Sequence, residues 1–262
     1  MNVVFITIND QHFLPRFFEN FFSKANIRDS FKALLVRPTY KNETIFSMAM
    51  KYLKTFGLKE MMYFSFETLS WKILDVIRKP DKNRKSYSVK ADFKAYDHEA
   101  VSTDKSVNGK FVLDKLENWS TDVIVSIGCP QIFKEKLINL PSKGCLNLHG
   151  SPLPSYRGVL PSFWMLKNNE KYAANTIFFV NKKIDGGDIL LQESFAIEGQ
   201  DTLRSLILKS KLAASEMTLN AIELIRSGDF ITHPIDVSEG SYFHWPTRKD
   251  VLEFLNRGKK LR

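Results

Sequence analysis

The chain has 262 residues, 44% of them hydrophobic and 26% charged, which fits one large folded domain, or one domain with a small appendage, and excludes a disordered protein. Its net charge of +9 and pI near 9.4 favour phosphate-bearing partners in general; with no zinc-finger, KH or RRM signature they do not single out nucleic acid, and the basic runs at 78–90 and 247–262 read as solvated surface. Without a signal-peptide pattern at its start or an apolar run of about eighteen residues, the chain reads as cytoplasmic, and membrane contact is disfavoured.

In chain order, NVVFITI (2–8) is a β-rich run, LPRFFENFFSKA (14–25) has helical apolar spacing and FKALLVR (31–37) is a second strand, together a β-α-β start. An insertion at 42–79, rich in Met and Phe, is helical in spacing and interrupted at Gly57. Core packing is the usual fate of such side chains; the alternatives are a homodimer surface, a lid over a substrate, or, with the basic run beside it, shallow membrane contact. Then come SYSVKA (86–91), a helix at 109–119, a wholly apolar strand DVIVSIG (122–128), a helix QIFKEKLINL (131–140) and the strand GCLNLH (144–149). Downstream lie a short helix at 162–170, a strand at 174–180, a turn entering a strand at 184–197, and a long helix from Asp201, as N-cap, to Ser227, stopped by Gly228. The pattern predicts an α/β protein with a mostly parallel sheet and helices on both faces, a main domain over 1–227 and a short C-terminal extension over 228–262. Ligands of such sheets sit beyond the carboxyl ends of the strands.

One strand ends in chemistry. Alternation along Leu146, Asn147, Leu148 and His149 puts the amide and the imidazole on one face, where both can converge on an oxygen that becomes negative during acyl transfer. A third group must orient or proton-balance the histidine, and Asp185 stands in a turn whose glycines allow close backbone approach. Each residue also has a plainer reading: Asn147 as a turn cap, His149 as a core histidine, Asp185 as an Asp-Gly turn. Cys129 and Cys145 lack metal-ligand spacing and read as buried thiols, so no metal is expected.

The run NLHGSPLPSYRGVLPSFWMLKNNE followed by FFVNKKIDGGDIL resembles the catalytic domain of the 10-formyltetrahydrofolate-dependent formyltransferases, which include methionyl-tRNA formyltransferase, glycinamide ribonucleotide transformylase and the sugar N-formyltransferases. Gly150 and Pro152 depart from the commoner Pro and Leu. The resemblance implies a Rossmann-like formyltransferase fold, a catalytic set of Asn147, His149 and Asp185, and 10-formyltetrahydrofolate as co-substrate. An amine would attack the formyl carbon while Asn147 and His149 stabilise the oxyanion and Asp185 holds His149; whether His149 or Asp185 takes the amine proton stays open. By the same resemblance Cys129, Gln131, Ile132, Ile184 and Gly186 border the folate, Cys129 as pocket wall and not as nucleophile. Asn9, Asp10, Ser151 and Arg157 face the acceptor, Arg157 being equally readable as a link between loops. Only 35 residues (228–262) follow the last long helix, too few for the C-terminal barrel of a tRNA-formylating relative, and the loop ITINDQHF lacks the glycine of the glycinamide enzymes. A nucleotide-linked amino sugar, used in surface polysaccharide, is therefore the expected acceptor. A folate-binding module without catalysis is the non-enzyme alternative, disfavoured because all three catalytic positions are filled.

Overall fold

The structure is a computed structural model and describes residues 1–26, 28–38 and 43–262, so position 42 of the expected insertion lies outside it. The chain forms β1 (Asn2–Ile8), α1 (Leu14–Lys24), β2 (Ser30–Val36), α2 (Ile45–Phe56), α3 (Leu58–Ile77), α4 (Val89–Ala95), β3 (Glu99–Thr103), α5 (Lys110–Asn118), β4 (Val123–Ile127) and α6 (Glu135–Ile138). There follow β5 (Cys145–His149), β6 (Arg157–Gly158), α7 (Pro161–Lys167), β7 (Tyr172–Phe179), β8 (Ile189–Ala196), α8 (Leu203–Ser227), β9 (Tyr242–Phe243) and α9 (Arg248–Asn256).

One seven-stranded sheet runs in the order β3-β2-β1-β4-β5-β7-β8. Its first five strands are parallel, β7 runs against them beside β5, and β8, antiparallel to β7, returns to their direction, as an α/β protein with a mostly parallel sheet requires. The continuous apolar runs of β1 and β4 follow from burial on both faces. On one face Phe17, Phe18, Phe21 and Phe22 of α1 meet Phe5 and Phe31 of the sheet, with Phe5 and Phe18 edge to face at 5.1 Å, and α8 adds Met217, Ile222 and Ile225. Such aromatic pairs contribute about 1 kcal/mol beyond the area they bury. Val112 and Leu116 of α5 with Leu137 of α6 cover the other face against Val4, Ile6 and Ile124.

Several boundaries differ from the sequence expectation for local reasons. The N-cap of α8 is Thr202, whose hydroxyl accepts the Ser205 amide while Ser205 Oγ accepts the Thr202 amide; Asp201, one residue outside, instead pairs with Lys209 at 2.8 Å. Gly228 stops the helix at φ +73°. SYSVKA leads into α4 under a Ser88 cap, and the helix expected at 131–140 contracts to α6. The segment 228–262 is folded into the same body: Val251 and Phe254 of α9 pack with Phe163 and Leu206, and β9 pairs with β6. Core packing of the Met- and Phe-rich insertion is overturned for its longer helix, because α3 contains no buried residue.

Candidate active site

The parallel strand β5 delivers two polar side chains to the carboxyl edge of the sheet. Leu146 and Leu148 go into the core, whereas Asn147 and His149 stay half-buried on one face, about 7 Å apart along the strand. His149 Nε2 lies 3.1 Å from the carbonyl of Tyr156. A carbonyl only accepts, so this bond selects the tautomer protonated at Nε2 and leaves Nδ1 with its lone pair. Among the described residues no protein group hydrogen-bonds the Asn147 amide or His149 Nδ1.

The loop after β5 is held from several sides. Thr176 Oγ1, on the strand facing His149, donates to the Ser151 carbonyl at 2.7 Å and accepts from Gln192 and from the Leu153 amide. Tyr156, Gly158 and Leu160 all take positive φ, and Gly158 at +97° also lies against β9, where a Cβ would come within 2.2 Å of the Phe243 carbonyl. The hydroxyl of Tyr156 donates to Glu170 at 2.5 Å; burial, then that bond, pushes its pKa up to about 12.

Asp185, itself at φ +47°, accepts the Gly158 amide at 3.1 Å. It makes no ion pair with His149 among the described residues, so the expected direct hold of the aspartate on the imidazole is absent here. Both side chains are positioned through one short segment, His149 by Tyr156 and Asp185 by Gly158. Asp185 Oδ1 remains uncommitted among the described residues.

The residues expected beside a folate lie on two loops beyond the strand ends. After β4, Gln131 Oε1 accepts the Val107 amide, and the Ile132 carbonyl accepts from Asn108, leaving the Ile132 side chain 63% exposed. Ahead of β8, Ile184 is 51% exposed and the Gly186 carbonyl accepts from Asn181. A Cβ at Gly186 would lie 2.7 Å from Val237. Burial pushes the Cys129 thiol up to about 12 and raises that of Cys145 as well, so both remain protonated at neutral pH and neither is an activated nucleophile.

Acceptor-side expectations divide. Asn9 takes the Lys90 amide and also lines a depression of about 530 Å³ with Arg37, Thr103 and Lys105 at the ends of β1, β2 and β3. Asp10 uses one oxygen to cap α1 through the amides of Phe13 and Leu14, at 2.6 and 2.7 Å. Ser151 is fully buried with its hydroxyl on the Ser155 carbonyl, which places it in the frame of the loop and not at its surface. Arg157 is a link between loops, reaching the carbonyls of Ile184 and Val237, with its Nε buried and unpartnered.

Sequence reading missed a cluster beside Asp10. His12 is buried, stacks on Phe64 at 4.0 Å and approaches Glu67, which in turn holds Arg204 through two bonds of 2.7 and 2.8 Å. Burial lowers the His12 pKa against the opposing pull of Asp10 and Glu67. Burial likewise lowers the Lys211 ammonium on α8, partly offset by Asp10. Phe64, Glu67, Arg204 and Lys211 stand 52 to 199 positions from His12, and no local pattern in the sequence links them to it.

A family model described as formyl transferase matches residues 66–222. The bifunctional polymyxin resistance protein ArnA of Wigglesworthia glossinidia brevipalpis is 34% identical over 189 residues, 70% of this chain and 29% of that protein. A methionyl-tRNA formyltransferase of Caldanaerobacter subterraneus subsp. tengcongensis is 29% identical over 205 residues, 72% of this chain and 66% of the relative. The chain thus spans under two thirds of the length of either curated relative. An N-formyltransferase from Helicobacter canadensis, solved in complex with folinic acid and dTDP-3-aminofucose, shares the fold with a TM-score of 0.56 over 95% of this chain and 71% of that one, at 16% identity. Because the family model covers more than half of the chain, whose mostly parallel sheet shares the fold of that solved structure, the protein belongs to the formyl transferase family.

Proposed function

We propose that this protein is an N-formyltransferase that moves a formyl group from 10-formyltetrahydrofolate to the primary amine of a nucleotide-linked amino sugar. The observation that carries formyl transfer is the pair of uncommitted groups, the Asn147 amide and His149 Nδ1, at a strand end where the neighbouring loop is tied down. Folate as co-substrate is supported by the exposed Ile132 and Ile184, two apolar side chains on loops beyond the strand ends that suit the faces of a flat heterocycle. 10-Formyltetrahydrofolate supplies a formyl group on a nitrogen that can leave.

Asn147 donates a hydrogen bond to the formyl oxygen as negative charge builds there, an effect worth about 3 kcal/mol for a preset donor. His149, its Nε2 proton held by Tyr156, offers the Nδ1 lone pair to the proton of the attacking amine. Asp185, anchored to Gly158 by one oxygen, keeps the other available to relay that proton to the departing nitrogen. Proton uptake and release then balance, and the products are a formamide and tetrahydrofolate.

The acceptor reading rests on Asn9 and on the depression it lines. Strands lie about 4.8 Å apart, so the end of β1 stands about 10 Å from that of β5. That distance suits an acceptor whose amine reaches His149 while its phosphates lie toward Arg37 and Lys105. The test offers the protein 10-formyltetrahydrofolate with amino-sugar nucleotides, methionyl-tRNA and glycinamide ribonucleotide, and follows product mass. A formylated sugar nucleotide with stoichiometric tetrahydrofolate is expected. Formylation of methionyl-tRNA alone would overturn the acceptor, and folate binding without transfer to any amine would reduce the protein to a binding module.

A further inference from the structure

Helix α3 faces its own chain with one side only. Phe64, Glu67, Thr68, Trp71 and Asp75 engage Tyr52, His12, Arg204 and the Tyr87 amide. Leu58, Met62, Phe66, Leu69, Ile73, Val76 and Ile77 are instead all exposed, Phe66 at 73% and Val76 at 87%. Met62, Phe66, Leu69, Ile73 and Val76 follow one another at steps of four, three, four and three, the seam of a two-helix coiled coil and not the wider stripe of a helix lying on a sheet. Large apolar side chains so exposed leave roughly 100 Å² each, giving on the order of 700 Å² for the stripe against about 800 Å² per partner in a standard interface.

We propose that this stripe is the interface with a second copy of the chain, α3 packing antiparallel on α3 about a two-fold axis passing between Glu67 and Thr68. The register follows from the sequence. Antiparallel pairing about that point sets Phe66 against Leu69, Met62 against Ile73 and, at each end, Val76 against the methylene stem of Lys59, each pair occurring twice as an isologous interface requires, with Leu58 and Ile77 flanking the seam. Its borders set Ser65 near Lys72 on one side and Tyr63 near Ser70 on the other; no like charges on the stripe or its borders oppose one another. A parallel pairing would set Lys59 on Lys59 and Lys72 on Lys72. A lipid surface fits less well, because an interfacial helix borders its apolar face with several cations, whereas over 58–77 two, Lys59 and Lys72, flank the stripe, with Ser65 and Ser70 between them. The inference rests on α3 alone and is independent of the formyl-transfer reading.

Sedimentation velocity with light scattering, from about 1 to 100 µM, tests it. The wild type is expected at twice the 30.3 kDa chain mass, and Phe66→Glu with Leu69→Glu at the single mass with unchanged circular dichroism. Under oxidation, Met62→Cys protein mixed with Ile73→Cys protein should cross-link more than either alone. A wild type monomeric throughout, a dimer that survives the double substitution, or Met62→Cys cross-linking best to itself would each overturn the proposal. A monomer that floats with phosphatidylglycerol vesicles would also overturn it and assign the stripe to lipid.

Discussion

The loop that follows β5 and the helix pair that follows β2 both leave the sheet at its carboxyl edge, and they are held in opposite ways. Between Ser151 and Gly158 the loop is secured by Thr176, Gln192, Ser241 and Asp185, through hydrogen bonds that fix backbone direction at nearly every step. The helix pair is fastened at its inner side, by the His12, Glu67 and Arg204 group and by Phe56 packing on Trp245, while an apolar face remains open. Directional bonds suit a segment that must place an imidazole within a fraction of an ångström. Non-directional apolar surface suits a segment whose partner has yet to arrive.

If the loop is the rigid member of this pair, the side chains it positions should be separable from the fold. His149→Ala and Asn147→Ala are each expected to lower turnover by two to three orders of magnitude with unchanged melting temperature. Folded variants of near-native rate would remove the proposed chemistry. Gly158→Ala attacks the loop frame itself, since its methyl would press on the Phe243 carbonyl at a left-handed backbone position. A loss of about 2–3 kcal/mol in denaturant unfolding is expected, with turnover falling alongside; a neutral substitution would show that β6 and β9 can separate freely.

The anchor of the helix pair carries a pH signature of smaller size. Burial lowers the His12 pKa below the unfolded value of about 6.5. Below that value the unfolded chain takes up a proton that the folded one refuses, so stability falls as pH drops from about 7. His98, lowered by burial in the same direction, contributes to this slope. Melting temperature measured against pH should therefore decline on acidification and decline less in His12→Gln; an unchanged slope would exclude His12 from the anchor. The smallest effect belongs to the open face. Phe66→Ser, at a side chain 73% exposed, should change the stability of dilute protein by no more than about 0.5 kcal/mol. A larger loss there would mean that the stripe is already covered within one chain.

Much of this molecule was legible before folding was considered. The apolar runs of β1 and β4, the helical spacing of α1 and α8 and the stop at Gly228 depend on neighbours within a few positions, and they stand where they were expected. Asn147 and His149 share a face because alternation along a strand is itself local. The edge strand Glu99–Thr103 escaped notice because, half exposed, it needs no apolar run. The shift of the α8 cap from Asp201 to Thr202 turned on which side chain reaches the third amide.

Tertiary structure alone decided the rest. It sent the Asp185 carboxylate to Gly158 and not to His149, buried Ser151, spent Arg157 on two carbonyls and folded β9 against β6 from 84 to 86 positions away. Composition marked 42–79 as apolar and helical, but whether a core would cover it depends on the surface already claimed by other elements. Here α1, α4 and α8 take the sheet face that a further helix could have used. Periodicity is written in the chain because it reflects bonds between near neighbours; which face finds a cover depends on distant segments competing for the same area.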